Sequence, residues 1–298
     1  MNPLAPGLGR GHAGRMEQES VVHRVHPRLR PYVAAAVGYR HEGLPPGEHL
    51  GLPSPYLTLI VPLDDPLQMA AHPDPAQPPG SYDGLVGGLH TRPARIAHPG
   101  RQSGIQLSLT PAGARALLGC PAGALASLDS PLDDVLGAVG TELVERARAA
   151  ENWPARFAVL EQVLLQQVAD DGVRPEVAEA WRLTTTWAGR LPVAEVAARV
   201  GWSVRHLEQR FRAETGLGPK EAARVARFDR ARRALAGRAA TGRPLDLAGL
   251  ADATGFADQA HLTREWRSFS GLPPTRWLAE EFGFVQDTRA LSAALSSA

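Results

Sequence analysis

Arg205, Gln209 and Arg212 follow one another at intervals of four and three residues, and Ala260, Arg264 and Arg267 repeat those intervals 55 residues later. Residues so spaced share one face of a helix. Arginine and glutamine offer paired donors and acceptors that match base edges in the major groove of DNA, and arginine also pairs with phosphate. The chemistry this points to is recognition of a nucleic acid. Bond-making chemistry has weaker candidates: His90, His98 and Cys120 are the best of them, and no spacing assembles them into a nucleophile, a base and an orienting acid.

The elements that must carry these faces read as a duplicated unit. Residues 191–219 spell a helix, a tight turn and a second helix, and residues 245–274 spell the same in altered form. With one residue inserted in the second turn, Gly201 pairs with Gly255, Trp202 with Phe256, Leu207 with Leu262, Phe211 with Trp266, Gly216 with Gly271 and Pro219 with Pro274. Two copies are too few, and 54 to 55 residues too long, for a solenoid. Pro192 suits a first helical turn, and Val193, Val196, Ala197 and Val200 follow at helical spacing. Gly201 can take positive φ and stop that helix, and Ser203 can cap the next. In the second copy Leu247, Leu250, Ala251 and Thr254 make the first helix, Gly255 stops it and Asp258 caps its partner. The second helices are expected to bury Val204, Leu207 and Phe211 in one copy and Leu262 and Trp266 in the other. That leaves Arg205, Gln209 and Arg212, and then Ala260, Arg264 and Arg267 with Thr263 at the edge, facing outward. A single helix-glycine-helix would equally describe a hairpin with a solvated face.

Residues 219–236 join the copies. Val225, Phe228, Ala231, Ala234 and Leu235 form an apolar stripe, and Arg224, Arg227, Arg230, Arg232 and Arg233 crowd the remainder. Such a helix is about 25 Å long, comparable with the ~34 Å between successive major grooves on one side of B-DNA.

Residues from about 176 to 282 resemble the AraC/XylS family of bacterial transcriptional regulators. The likeness rests on the Gly201-Trp202-Ser203 turn, Leu207, Phe211, Gly216, Pro219, Arg227 and Ala231, then Gly255-Phe256, Leu262, Arg264, Trp266, Gly271 and Pro274. It implies two helix-turn-helix units joined by a long helix, and a sequence-specific regulator of transcription. Carried over by position, it implies base contacts at Arg205, Glu208 and Gln209 and at Gln259, Ala260, His261, Thr263 and Arg264. A carboxylate at Glu208 could accept from cytosine, and Ala260 could offer a methyl contact. On this reading Arg212, Arg227 and Arg267 hold phosphates. The partners implied are a double-stranded DNA operator and an unidentified small-molecule effector, with RNA polymerase and a second copy of the chain left open; no cofactor and no enzymatic activity are implied.

Composition is compatible with this. The 298 residues suffice for two domains, and 44% hydrophobic with 21% charged residues is ordinary for a soluble globular protein. Net charge is only +1, but residues 181–282 hold 17 Arg and Lys against 11 Asp and Glu, an excess of +6 that leaves the rest of the chain at −5. A basic third on an acidic remainder fits a DNA-binding module attached to a regulatory one. The single cysteine, Cys120, excludes an internal disulfide and any zinc site built on several thiolates, and points to a reducing, cytoplasmic setting. No apolar run approaches the ~20 residues of a membrane span, and the first twenty residues have no secretory pattern.

Residues 26–109 change character. Apolar runs at 32–37, 56–62, 84–89 and 105–109 alternate with Pro- and Gly-rich punctuation, which predicts a small β-sandwich or barrel. His72, His90 and His98 lack the close spacing of a barrel metal site, so they read as solvated or structural. Arg92, Arg95 and Arg101 could receive an anionic effector or be scattered surface residues. Helical periodicity follows over 131–149 (Leu132, Val135, Leu136, Val139, Leu143, Val144) and 154–169 (Phe157, Leu160, Val163, Leu164, Val168), covering the β core or forming a dimer seam.

The expected architecture is therefore two domains: an N-terminal β-rich α+β domain, a small barrel or sandwich followed by helices, and a C-terminal all-α domain with two helix-turn-helix units joined by a long helix. The expected divisions are a disordered arm over 1–20, an effector-sensing or dimerising domain over 21–170, the DNA-binding domain over 176–282 and a flexible tail over 283–298. An enzyme or small-molecule binder with an accessory helical domain, or an adaptor that binds protein, remains the alternative.

Overall fold

The computed structural model describes residues 17–169, 172–281 and 295. Its N-terminal half is two stacked antiparallel sheets, built from β1 (Glu17–His23), β2 (Val33–Glu42), β3 (Gly47–Gly51), β4 (Leu57–Pro62), β5 (Leu67–Ala71), β6 (Gly80–Tyr82), β7 (Leu85–Gly87), β8 (Ala94–His98), β9 (Gln102–Leu109) and β10 (Asp129–Pro131). The larger sheet runs β1-β2-β9-β4-β7-β10 and the smaller β3-β8-β5-β6. All four apolar runs of the sequence fall on strands of the larger sheet. β1 departs from expectation: it begins at Glu17 and pairs with β2 throughout, so residues 17–20 belong to the sheet and not to an arm. Residues 1–16 lie outside the described residues.

Side chains alternate across a strand, and this sorts β9 and β4 into two environments. Ile105, Leu107 and Leu109, with Leu57, Leu59 and Val61, pack under the helices that follow. Gln106, Ser108, Thr58 and Ile60 face the smaller sheet across a cavity.

The covering helices are α1 (Pro111–Leu118), capped by Thr110 Oγ1, which accepts the Gly113 N–H at 3.0 Å, then α2 (Leu132–Leu136), α3 (Ala138–Ala149) and α4 (Trp153–Gln167). One helix over 131–149 was the expectation. The break falls at Gly137, whose φ of +59° and ψ of −142° no helix can hold. Phe157, Leu160, Val163 and Leu164 of α4 are buried against the sheet, so the apolar stripe is core.

The C-terminal half is α5 (Pro175–Trp187), α6 (Val193–Arg199), α7 (Val204–Thr215), α8 (Pro219–Ala240), α9 (Leu247–Thr254), α10 (Gln259–Ser270) and α11 (Pro274–Glu280). No helix among the described residues is long and apolar enough to cross a membrane. The tail over 283–298 lies outside the described residues except Leu295, which packs on Ala35 and Val37.

The two halves share one buried apolar cluster. A 3-10 turn at Ala122–Leu125 sits on the C-terminal end of α7, so closely that a Cβ on Gly123 would stand 2.7 Å from the Ala213 carbonyl oxygen and one on Gly216 would collide with Ala126. Beside it Arg115 of α1 donates two hydrogen bonds, 2.7 and 2.8 Å, to the carboxylate of Glu214 in α7. At the other edge the Leu50 N–H of β3 donates to Glu281, a buried carboxyl pushed up to about 7 by desolvation.

Candidate nucleic-acid interface

Both turns are built from the same hydrogen bonds. Gly201 (φ +72°) ends α6 and the Trp202 N–H reaches back to the Ala197 carbonyl at 2.9 Å; Gly255 (φ +86°) ends α9 and the Phe256 N–H reaches Ala251 at 2.9 Å. Ser203 Oγ accepts the His206 N–H at 3.2 Å and Asp258 Oδ1 accepts the His261 N–H at 2.6 Å, which starts α7 and α10. Trp202 meets His206 edge-on and Phe256 meets His261 in the same way. The far ends match as well. Thr215 Oγ1 donates to Phe211 O and accepts from Leu217 N–H, and Ser270 Oγ does the same with Trp266 O and Leu272 N–H, just where Gly216 and Gly271, both at φ +77°, close the helices. Sequence reading overlooked Thr215 and Ser270; a hydroxyl one residue before each paired glycine was the available signal.

Leu207, Phe211, Leu262 and Trp266 are wholly buried, whereas Val204, expected inside, is 40% exposed. It occupies the first position of α7, ahead of the turn that meets the core. Arg205, Glu208, Gln209 and Arg212 stand exposed on α7, and Gln259, Ala260, Arg264 and Arg267 on α10. Among the described residues no hydrogen bond or ion pair engages the side chains of Arg205, Gln209, Arg264 or Arg267. Arg212, 60% exposed at its side chain, is paired with Glu221 at 2.9 Å. His261 is half-buried and its Nδ1 receives the Ala257 N–H, which leaves Nε2 alone to point elsewhere. Thr263 donates its hydroxyl to Gln259 O.

The arginines of α8 behave differently from their expected exposure. Arg224 grips Glu265 with two hydrogen bonds, Arg230 donates to Thr186 O, and Arg232 and Arg233 both pair with the buried Asp229. Arg227 lies 5.1 Å over the Phe256 ring with Glu265 at 3.9 Å, and burial lowers the pKa of its guanidinium. Arg227, expected at a phosphate, is half-buried against Phe256 and Glu265 and lines a surface pocket beside Lys220 and His261. α8 itself runs 22 residues, past Gly237, to a length of about 33 Å.

In a search against family models, the one described as "Helix-turn-helix domain" matches residues 179–280. Residues 179–280 thus form a helix-turn-helix domain. No curated protein matches the sequence. Among solved structures the chain is similar to ToxT from Vibrio cholerae O395, at 12% identity and a TM-score of 0.49 over 84% of this chain and 96% of that one. It is also similar to unsaturated fatty acid bound ToxT from Vibrio cholerae strain SCE256, at 9% identity and a TM-score of 0.45 over 90% and 96%.

In the other half, the histidines have structural partners. His72 Nδ1 lies 2.8 Å from Asp129, and His98 accepts the Gly100 N–H. His90 Nδ1 bonds to Arg92 O, and burial holds its imidazole below the ordinary value. Among the described residues no group of three or more His, Cys, Asp or Glu is placed to hold a metal ion. Cys120 is half-buried and burial pushes its thiol up, away from a reactive thiolate. Arg95 and Arg101 pair with Glu48 and Asp65, so they do not converge on one anion site. Between the sheets lies a cavity of about 160 Å³, walled by Ile60, Met69, Ile96, Gln106 and Asp129, and by Arg232 of α8.

Proposed function

We propose that the chain is a cytoplasmic, sequence-specific regulator of transcription that lays α7 and α10 in successive major grooves of one operator and performs no bond-making chemistry of its own. What carries this reading is the recurrence, bond for bond, of one turn and cap in two places, each presenting unpaired cationic and amide side chains outward. On this reading Arg205, Gln209 and Arg264 read base edges, and Glu208, Gln259, Ala260, His261 and Thr263 fill the rest of the two interfaces. Arg212 and Arg267 then hold phosphates. Selecting DNA from a random pool with the purified protein tests it. The outcome expected is a motif of two boxes about 10 base pairs apart, bound less tightly as salt rises. Recovery of no motif would end the reading, and the symmetry of a recovered motif reports whether one chain or two occupy it.

The N-terminal half is proposed to sense a small molecule, to pair two chains, or both. Support for sensing is the cavity between the sheets, since Arg232 puts the helix that joins both recognition units into its wall. A molecule that fills it and changes operator affinity must itself bind tighter or weaker by the same factor when DNA is present.

A further inference from the structure

Among the positions at which the two units differ, one bears on how the second is held. Leu207 answers to Leu262, so Arg210 answers to Glu265; Arg210 is exposed, whereas the Glu265 side chain is 16% exposed and turned toward α8. Arg224 Nε and Nη2 donate to its two carboxylate oxygens at 2.8 and 2.9 Å, and Arg227 Nη2 lies at 3.9 Å. The same two arginines cover aromatic rings of the second unit, Arg224 at 5.1 Å over Phe269 near the end of α10 and Arg227 at 5.1 Å over Phe256 in the turn before it. Two side chains one turn apart on α8 thus hold the start, middle and end of the second recognition unit.

We propose that the Arg224–Glu265–Arg227 cluster fixes the spacing between the two halves of the DNA site, by setting the angle at which α10 leaves α8. These are positioning residues: none is placed against a base. The inference rests on the reading of α7 and α10 as recognition helices. A bidentate arginine–carboxylate pair is directional, unlike an apolar contact that can slide, so it resists tilting of α10. Removing the carboxylate leaves two neighbouring cations, half-buried and facing each other, which push the helices apart. One base pair of extra spacing moves a groove by about 3.4 Å and turns it by about 35°, so a small tilt decides which spacing is accepted.

The test is the same selection from random DNA, run on the full-length protein and on the Glu265→Gln and Arg224→Met variants, with thermal melting to confirm folding. Wild type is expected to prefer one spacing by ~10-fold over sites one base pair shorter or longer, and the variants by less than about 3-fold, with the bases preferred inside each box unchanged. Glu265→Asp, which keeps the charge, is expected to retain the single spacing. The proposal is overturned if Glu265→Gln and Arg224→Met both keep the wild-type spacing, or if base preference inside the second box changes with the spacing. Should one variant not fold, the other decides. Failure of wild type to select any motif removes the parent reading; a wild-type motif with unaltered variants removes only this one.

Discussion

An arginine on the outer face of α7 or α10 carries information only if nothing inside the protein already engages it, and here the molecule divides its arginines into two sets. Arg205, Arg264 and Arg267 are exposed and unpaired among the described residues; Arg224, Arg227, Arg230, Arg232 and Arg233 are tied to Glu265, Phe256, Thr186 and Asp229. Arg264→Ala is expected to cost about 1 to 3 kcal/mol on the selected operator and to relax choice at one base pair, measured by binding to a panel of single-base operator variants. Lys220, exposed beside the turn that starts α8, is given no base, so Lys220→Ala is expected to weaken specific and random DNA alike and by less. Glu281 adds a pH signature. Its folded pKa of about 7 exceeds the ~4.3 of an exposed glutamate, so folding takes up a proton between those values. Its stabilising effect is complete below the unfolded value and is lost as pH rises through 7. Glu281→Gln is therefore expected to raise the melting temperature at pH 8 and leave it nearly unchanged at about pH 4.

At the scale of elements, the duplicated turns were readable because their determinants are local. A glycine at positive φ, a capping Ser or Asp and two apolar anchors lie within about a dozen residues, and the structure places Gly201, Ser203, Leu207 and Phe211, and their counterparts, as the pattern required. The face of α8 was not readable, since its partners Glu265 and Thr186 lie 41 and 44 residues away along the chain. Nor was its end: Gly237 disfavours a helix by about 1 kcal/mol, and flanking Leu235, Ala236 and Arg238 carry it through to Ala240. In the sheets, β4 and β9 have runs of buried apolar residues, whereas β1 (EQESVVH) and β3 (GEHLG) lie at sheet edges and show little hydrophobic alternation. Thr215→Val should remove the hydroxyl that joins Phe211 O to Leu217 N–H and lower stability by about 1 kcal/mol, read by denaturant unfolding.

Across the whole molecule α7, the first of the two helices proposed to read DNA, is held from both sides, by α8 and by the N-terminal half. The Arg115–Glu214 pair and the close approach of Gly123 to Gly216 bind α1 and its following turn to the end of α7, while α10 is anchored through α8. Arg115→Ala leaves the largely buried Glu214 without its bidentate partner, so it is expected to increase protease cleavage near Gly172 several-fold by letting the halves part more often. That both recognition helices read bases is the central claim, and it is tested most directly by titrating wild type, Arg205→Ala and Arg264→Ala against the selected operator and a scrambled duplex of the same composition. The account predicts that each substitution weakens operator binding by ~10-fold while binding to the scrambled duplex changes by less than about 2-fold. Equal weakening on both duplexes, from either substitution, would contradict it.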